Sequence, residues 1–153
     1  MSETIVCVGG VVRRAGRILL VRQSAGHSLE GQWTVPWGQV DAGESPTVAV
    51  IREVREEAGV VARVNGLLGV QELPDPWLGM IGILFLCEHL DGEPMPDQSE
   101  TDAAGFFGPD QLPDISGHME PLSAWMVQRV LADDFSALPT NARGPYGPIP
   151  TYL

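Results

Sequence analysis

GQVDAGESPTVAVIREVREEAGV, residues 38–60, joins a glycine-rich acidic segment to a helical pattern that carries three glutamates. Ser45 is a preferred N-cap residue and Pro46 suits the first position of a helix. No residue in 47–58 breaks a helix, and Gly59 is placed to end it. The stretch therefore predicts a loop, a helix and a second loop.

The predicted helix has two faces of opposite character. At about 3.6 residues per turn, one arc is apolar and should pack on a sheet; it consists of Val50, Ile51, Val54 and Ala58. The opposite arc carries Glu53, Glu56 and Glu57, related by steps of three and four. Ala49 lies among them and is small enough to leave this acidic face open.

Three carboxylates on one arc repel one another, by a few tenths of a kcal/mol per pair (about 0.2–0.5). Their proximity also raises their proton affinity. Divalent cations would make the arrangement favourable, because Mg²⁺ takes oxygen ligands and completes its shell with water and phosphate. Arg52 and Glu44 stand where they can orient this cluster. The alternative is an acidic helix face that is simply solvated.

The flanking residues favour a metal site over a solvated face, because the stretch resembles the signature of the Nudix hydrolase family. That pattern is Gly, five residues, Glu, seven residues, then Arg-Glu-apolar-any-Glu-Glu-any-Gly-apolar. It matches here from Gly38 through Glu44 to residues 52–60. The preceding IVCVGGVVRRAGRILLVRQ and GQWTVPWGQVDAGE are similar to the family as well. Trp37 is a departure, since many members have a second glycine there.

The resemblance implies an α/β (α+β) fold in which a mixed β-sheet lies between helices, as an α/β/α sandwich. It implies hydrolysis of a nucleoside diphosphate linked to another moiety, with Mg²⁺ as cofactor and Mn²⁺ as a substitute. It also implies that Arg52 holds the glutamates in place. The metal ligands that it implies are Gly38 through its carbonyl, Glu44 directly or through water, Glu53, Glu56 and Glu57.

Two places in the chain can supply the general base. Glu57 is one candidate on the helix itself. In the family the base can instead come from a loop after the signature, and Glu100 and Asp102 occupy a matching region. An ordinary polar loop is the alternative for these two residues.

The substrate is less strongly indicated. Pro76 stands 16 residues after the signature ends, which resembles the ADP-ribose pyrophosphatase subgroup, although a plain turn explains it equally. Trp33 and Trp77 are candidates for stacking on a base, and Arg22 for a phosphate contact; core or surface roles are the alternatives. ADP-ribose or a nucleotide sugar is favoured, with nucleoside triphosphates or a non-catalytic nucleotide-binding module as alternatives.

Composition limits the partners. Nine basic against twenty acidic residues give a net charge of −11, which argues against nucleic acid but permits small phosphates bridged by cations. Cys7 and Cys87 lie in apolar runs typical of reduced core thiols. With no spanning stretch and no signal-like N-terminus, we expect a cytoplasmic protein without a membrane partner. The family resemblance also suggests a homodimer.

The remaining pattern predicts one domain over residues 1–138 and an irregular proline- and glycine-rich tail over 139–153. A hairpin is expected from strands over 5–12 and 17–22 around a turn at 13–16. Further strands are expected over 62–72, 77–89 and 105–107. A second helix over 121–133 should direct an apolar stripe to the core, formed by Leu122, Trp125, Met126 and Val130.

Overall fold

The computed structural model describes residues 3–141 and 143–153. Within that part of the chain the strands are β1 (Val6–Arg14), β2 (Arg17–Gln23), β3 (Trp33–Thr34), β4 (Trp37–Gln39), β5 (Val61–Glu72), β6 (Ile81–Asp91), β7 (Thr101–Phe107), β8 (Leu138–Asn141) and β9 (Thr151–Tyr152). The helices are α1 (Pro46–Ala58), α2 (Leu112–Ile115) and α3 (Pro121–Leu131), and a single 3-10 turn covers Ser116–His118. No helix among the described residues is long and apolar enough to cross a membrane.

The predicted hairpin forms with a tighter turn than expected. Ala15 and Gly16 alone make the turn, with φ of 48° and 75°, as a two-residue hairpin turn requires. Arg13 and Arg14, predicted as turn residues, instead belong to β1 and pair with the start of β2. The prediction was wrong here because charged side chains at strand ends can point to solvent without ending the ladder.

Beyond this turn the two strands separate, and residues 33–39 fill the gap between them. β3 pairs with β2, while β4 pairs antiparallel with β1, so that Cys7 lies opposite Gln39 and Val8 opposite Gly38. This inserted segment brings the start of the signature against the first strand. It therefore fixes one wall of the candidate site.

The sheet is mixed, as predicted. β1 and β6 are parallel over eight residue pairs, and the other paired strands are antiparallel. From one side the order runs β3, β2, β1, β6, β5, β8, β9, with β7 on β2 and β4 on β1.

Helices cover both faces, which confirms the α/β/α sandwich. Alternate residues of a strand point to opposite faces, so Val8 and Val12 of β1 pack in the α1 layer whereas Val11 packs in the α2–α3 layer. All three valines are completely buried. The core is thus two apolar layers separated by the sheet.

Several element boundaries differ from the sequence prediction. The strand expected from residue 77 begins at Ile81, because Trp77 to Met80 form a turn closed by a hydrogen bond from the Met80 N–H to the Trp77 carbonyl at 3.0 Å. β7 begins at Thr101 rather than 105, and α2 was not predicted. In α3, Trp125 is 58% exposed and stacks near Arg129, so its place in the core stripe was wrong.

The C-terminal tail is not wholly irregular. β8 pairs with β5, and β9 pairs with β8. Tyr152 shares a 2.8 Å hydrogen bond between its hydroxyl and that of Thr47, and its ring lies 5.7 Å from that of Phe85. The expected irregularity is therefore wrong at these strands, and the division after residue 138 stays a prediction.

Candidate active site

The helix that carries the glutamates begins and ends where the sequence predicts. The Ser45 hydroxyl accepts the N–H of Val48, and Pro46 is the first helical residue. Gly59 adopts the left-handed conformation with φ of 67°, and its N–H bonds to the Arg55 carbonyl. These local signals set the register of every side chain on α1.

The apolar arc of α1 is confirmed, but the acidic arc is not an open surface. Glu53 and Glu57 are only 6% and 2% exposed, and Ala49 is fully buried rather than leaving the face open. Glu56 alone points to solvent. The difference arises because β4 lies against this side of the helix. A Cβ at Gly38 would collide with the Glu53 carboxyl group, so any larger residue there would force that carboxyl group to move.

A third carboxylate joins the two buried ones from another part of the chain. One oxygen from each of Glu53, Glu57 and Glu100 lies within 4.8 Å of the others. Two oxygens that share one Mg²⁺ at about 2.0–2.1 Å lie at most about 4.2 Å apart. A small inward movement would therefore bring this group, the three-carboxylate cluster, onto one cation, and an all-oxygen donor set suits a hard divalent ion.

The electrostatics of the three-carboxylate cluster favour a cation. Burial, followed by the negative charge of Glu53, raises the pKa of Glu57 to about 9, although the Trp37 N–H partly opposes this. Burial also raises the pKa of Glu53, and the nearby Arg52 only partly offsets it. A divalent cation between these groups would favour their ionised forms.

Arg52 connects the remaining predicted ligands. Its guanidinium donates two hydrogen bonds of 2.8 Å to Glu44, one of 2.7 Å to Glu53 and one of 3.1 Å to Glu56. The hydrogen bonds from Arg52 lower the pKa of Glu44 to about 2. The structure thus places Glu44 and Glu56 on Arg52, outside the three-carboxylate cluster, and their role as ligands stays a prediction.

Trp37 links the three-carboxylate cluster to an apolar cavity of about 290 Å³. Its backbone N–H donates to the Glu57 carboxylate at 3.2 Å, and the same residue lines the cavity. Trp77, predicted to bind substrate, also lines this cavity. The other lining residues were not predicted from the sequence, and they include Thr34, Val35, Gln71, Leu73, Leu84, Ser123 and Met126. These residues come from separate strands and α3, so no local signal groups them.

Other predicted substrate residues lie apart from this cavity. Arg22 forms a 2.6 Å ion pair with Asp102, and its guanidinium lies 5.9 Å from the centre of the Trp33 ring. Both Arg22 and Trp33 line a different surface depression. Pro76 is exposed in the turn before β6 and does not line the cavity. Arg22, Trp33 and Pro76 therefore do not line the cavity that Trp77 lines, and their roles in substrate binding stay predictions.

Comparison with known proteins agrees with this architecture. The family model described as NUDIX domain matches residues 3–126 of the chain. The chain belongs to the NUDIX family. The match covers β1 to most of α3, so it includes all three carboxylates and the cavity that the NUDIX fold brings together.

Individual relatives share different amounts of this NUDIX chain. An ADP-ribose pyrophosphatase from Methanocaldococcus jannaschii is 33% identical over 113 residues, which are 72% of this chain and 66% of that protein. The NAD-capped RNA hydrolase NudC from Pseudomonas aeruginosa is 33% identical over 138 residues, 90% of this chain and 46% of that protein. The chain thus spans less than two thirds of either relative.

A solved structure supports the same fold. The NUDIX hydrolase from Nitrosomonas europaea superposes with a TM-score of 0.77, covering 87% of this chain and 73% of that one, at 23% identity. At that level of identity the likeness concerns the fold alone.

Proposed function

We propose that this NUDIX protein hydrolyses the diphosphate linkage of a nucleoside diphosphate joined to another moiety, by attack of water on phosphorus. The observation that carries the proposal is the three-carboxylate cluster, which Trp37 connects directly to an apolar cavity. A cluster without a cavity would suggest cation storage, and a cavity without a cluster would suggest ligand binding alone. The three carboxylates do not themselves line the cavity, but Trp37 borders it and also bonds to Glu57. This arrangement favours an organic group bound in the cavity with its diphosphate reaching toward the carboxylates.

The donor set supports Mg²⁺ as the ion, with Mn²⁺ as a substitute, because all candidate ligands are oxygens. A divalent cation held there would neutralise diphosphate oxygens and make a water easier to deprotonate. Glu53, Glu57 and Glu100 are the proposed ligands. Arg52 would keep Glu53 oriented through its 2.7 Å hydrogen bond.

Glu57 and Glu100 are the two candidates for the general base. Glu57 is almost fully buried and accepts a hydrogen bond from Trp37, whereas Glu100 is exposed. An attacking water reaches an exposed carboxylate more readily, so we favour Glu100 as the group that accepts its proton. Glu57 then serves mainly to hold the cation.

The cavity supports a substrate with one apolar ring system. Its volume of about 290 Å³ is at the lower end for a small-molecule pocket, which leaves room for a base but not for a second large group. Trp77 and Trp37 offer aromatic surface for stacking. The name of the Methanocaldococcus relative favours ADP-ribose, and a nucleotide sugar has the same chemistry.

The test is hydrolysis of ADP-ribose, with UDP-sugars and nucleoside triphosphates assayed in parallel, in Mg²⁺, in Mn²⁺ and in EDTA. We expect AMP and ribose 5-phosphate from ADP-ribose, with one oxygen from labelled water in one product and no reaction in EDTA. Glu53→Gln should abolish turnover, whereas the control Glu93→Gln, on an exposed side chain that pairs with Arg14, should not. Tight nucleotide binding without turnover across the panel would instead identify a binding module.

A further inference from the structure

The segment that carries Glu100 is attached to the C-terminal end of α1. The Met95 N–H donates to the Ala58 carbonyl at 2.8 Å, and the Thr101 hydroxyl donates to the Glu57 carbonyl at 2.7 Å. Carbonyls in the last turn of a helix lack partners within that helix. The segment 95–101 therefore satisfies the end of the same helix that presents Glu57 to the three-carboxylate cluster.

The loop itself is held closed by Asp97. One of its carboxylate oxygens accepts the backbone N–H groups of Ser99, Glu100 and Thr101 at 2.8, 2.9 and 2.9 Å. Burial alone would raise the pKa of Asp97, but these hydrogen bonds outweigh it and leave the pKa lowered. The Asp97 N–H also donates to the Thr101 hydroxyl at 3.2 Å. The backbone at Glu100 is thus fixed from one side by Asp97.

The other side of the Glu100 backbone is fixed by the end of β2. Its carbonyl accepts the Ser24 N–H at 2.9 Å. Thr101, the next residue, is completely buried. The short path from Glu100 through the Thr101 hydroxyl to the Glu57 carbonyl joins two members of the three-carboxylate cluster. Such a path matters because three nearby carboxylates repel one another before a cation is bound.

We propose that Thr101, supported by Asp97, is a positioning residue that holds Glu100 against Glu53 and Glu57 so that the cation site is formed in advance. This inference rests on the proposed function in that the cluster is taken to bind a divalent cation. Its physical basis is that a carboxylate on a free loop would move away from Glu53 and Glu57 when these ionise, as they must do to bind a cation. A hydrogen bond between buried groups opposes that movement without adding charge.

The first experiment measures Mn²⁺ binding to the metal-free protein by the loss of the free Mn²⁺ electron paramagnetic resonance signal. Thr101→Val keeps the shape but removes the hydroxyl, so we expect binding about 10–100-fold weaker, as is usual when a group that orients a ligand is lost. Thr101→Ser keeps the hydroxyl and should restore binding. With substrate, kcat should fall while KM stays nearly constant.

A double-mutant cycle separates positioning from general damage. If Thr101 acts through Glu100, the variant with both Thr101→Val and Glu100→Gln should bind Mn²⁺ no more weakly than Glu100→Gln alone. The control is Thr47→Val, which removes the partly buried hydrogen bond between the Thr47 and Tyr152 hydroxyls at the other end of the same helix. This substitution should leave Mn²⁺ binding unchanged. Additive losses, or failure of Thr101→Ser to restore binding, would overturn the proposal.

Asp97→Asn provides a second route if Thr101→Val does not fold. Asparagine keeps an acceptor for the three N–H groups, so the fold should survive with a smaller loss of Mn²⁺ affinity. The same cycle applies to the double variant Asp97→Asn with Glu100→Gln. If Asp97→Asn weakens Mn²⁺ binding only by removing a charge, its effect should add to that of Glu100→Gln. If it acts by positioning Glu100, the two effects should not add. If the wild type binds Mn²⁺ but hydrolyses no substrate, the hydrolase proposal is wrong. The positioning proposal can still be tested in that case, because the cycle measures Mn²⁺ binding and not turnover.

Discussion

At the scale of single residues, the site places ionisable carboxyl groups where burial makes their ionisation unfavourable. Glu57 is 2% exposed beside Glu53, and its pKa rises to about 9 for this reason. Ionisation of a carboxyl group in such a place destabilises the fold, and a bound divalent cation would offset that cost. The burial of Glu57 therefore favours a functional role over a structural one.

Glu57→Gln should separate function from stability. We expect kcat to fall by at least about 100-fold, the usual range for a lost ligand or base. The metal-free variant should melt at the same or a higher temperature near neutral pH, since glutamine folds without the proton uptake that the raised pKa of Glu57 requires. Turnover assays and calorimetry of the metal-free protein check both parts. A collapse of thermal stability with retained turnover in the folded fraction would contradict this role.

The pKa of Glu57 also predicts how stability depends on pH in EDTA. Because the pKa is about 9 in the folded state and about 4.5 when unfolded, the folded protein binds more protons between these values. The contribution of Glu57 to the free energy of unfolding should therefore be most favourable below about pH 4.5 and should become less favourable as pH rises toward 9. Urea unfolding at several pH values should show this slope, a shallower one in Glu57→Gln, and increasing stabilisation by Mg²⁺ at higher pH. A flat wild-type profile would count against it.

At the scale of elements, the site is formed where α1, β4 and the loop before β7 meet. α1 contributes two carboxylates, β4 contributes the Gly38 peptide and the Trp37 N–H, and the loop contributes Glu100. The boundaries of α1 were predictable because capping and helix-breaking residues act locally. The start of β6 was not, because the turn at residues 77–80 is built from apolar side chains that resemble a strand.

Close packing between β4 and α1 makes Gly38 a sensitive position. Gly38→Ala would place a methyl group into the Glu53 carboxyl, so we expect the free energy of unfolding to fall by about 1–3 kcal/mol and Mn²⁺ affinity to fall with it. Gly69→Ala on β5 is the matched control, because no atom of the described residues, its two chain neighbours apart, lies within 4 Å of its added methyl. Urea unfolding and Mn²⁺ titration provide the measurements. Equal effects of the two substitutions would show that Gly38 has no special role.

At the scale of the whole molecule, the net charge of −11 should disfavour the binding of long polyanions. Arg52 is engaged with the glutamates, and Arg22 is paired with Asp102. These two arginines are thus already paired with carboxylates, and they are not free to follow a phosphate backbone. The absence of a nucleic-acid partner stays a prediction, as do a homodimer and a cytoplasmic location.

The charge argument is tested by comparing a free dinucleotide such as NAD with the same group at the end of an RNA oligonucleotide. We expect KM for the capped RNA to be no lower than for the dinucleotide, and nearly independent of NaCl concentration. Release of ions from a bound RNA backbone would instead give a steep salt dependence. A lower KM for the capped RNA that rises strongly with salt would show that the chain does bind the nucleic acid.

The sequence by itself determined α1, its apolar face and the spacing of the glutamates, since caps and helical periodicity depend only on neighbouring residues. It also indicated Glu100, through the family resemblance, as one option in a polar loop. Only the tertiary structure decided that Glu100 meets Glu53 and Glu57 while Glu56 turns to Arg52. It also decided that Trp37 borders a cavity built from distant strands. Burial depends on what packs against a side chain from elsewhere in the chain, and no local pattern contains that information.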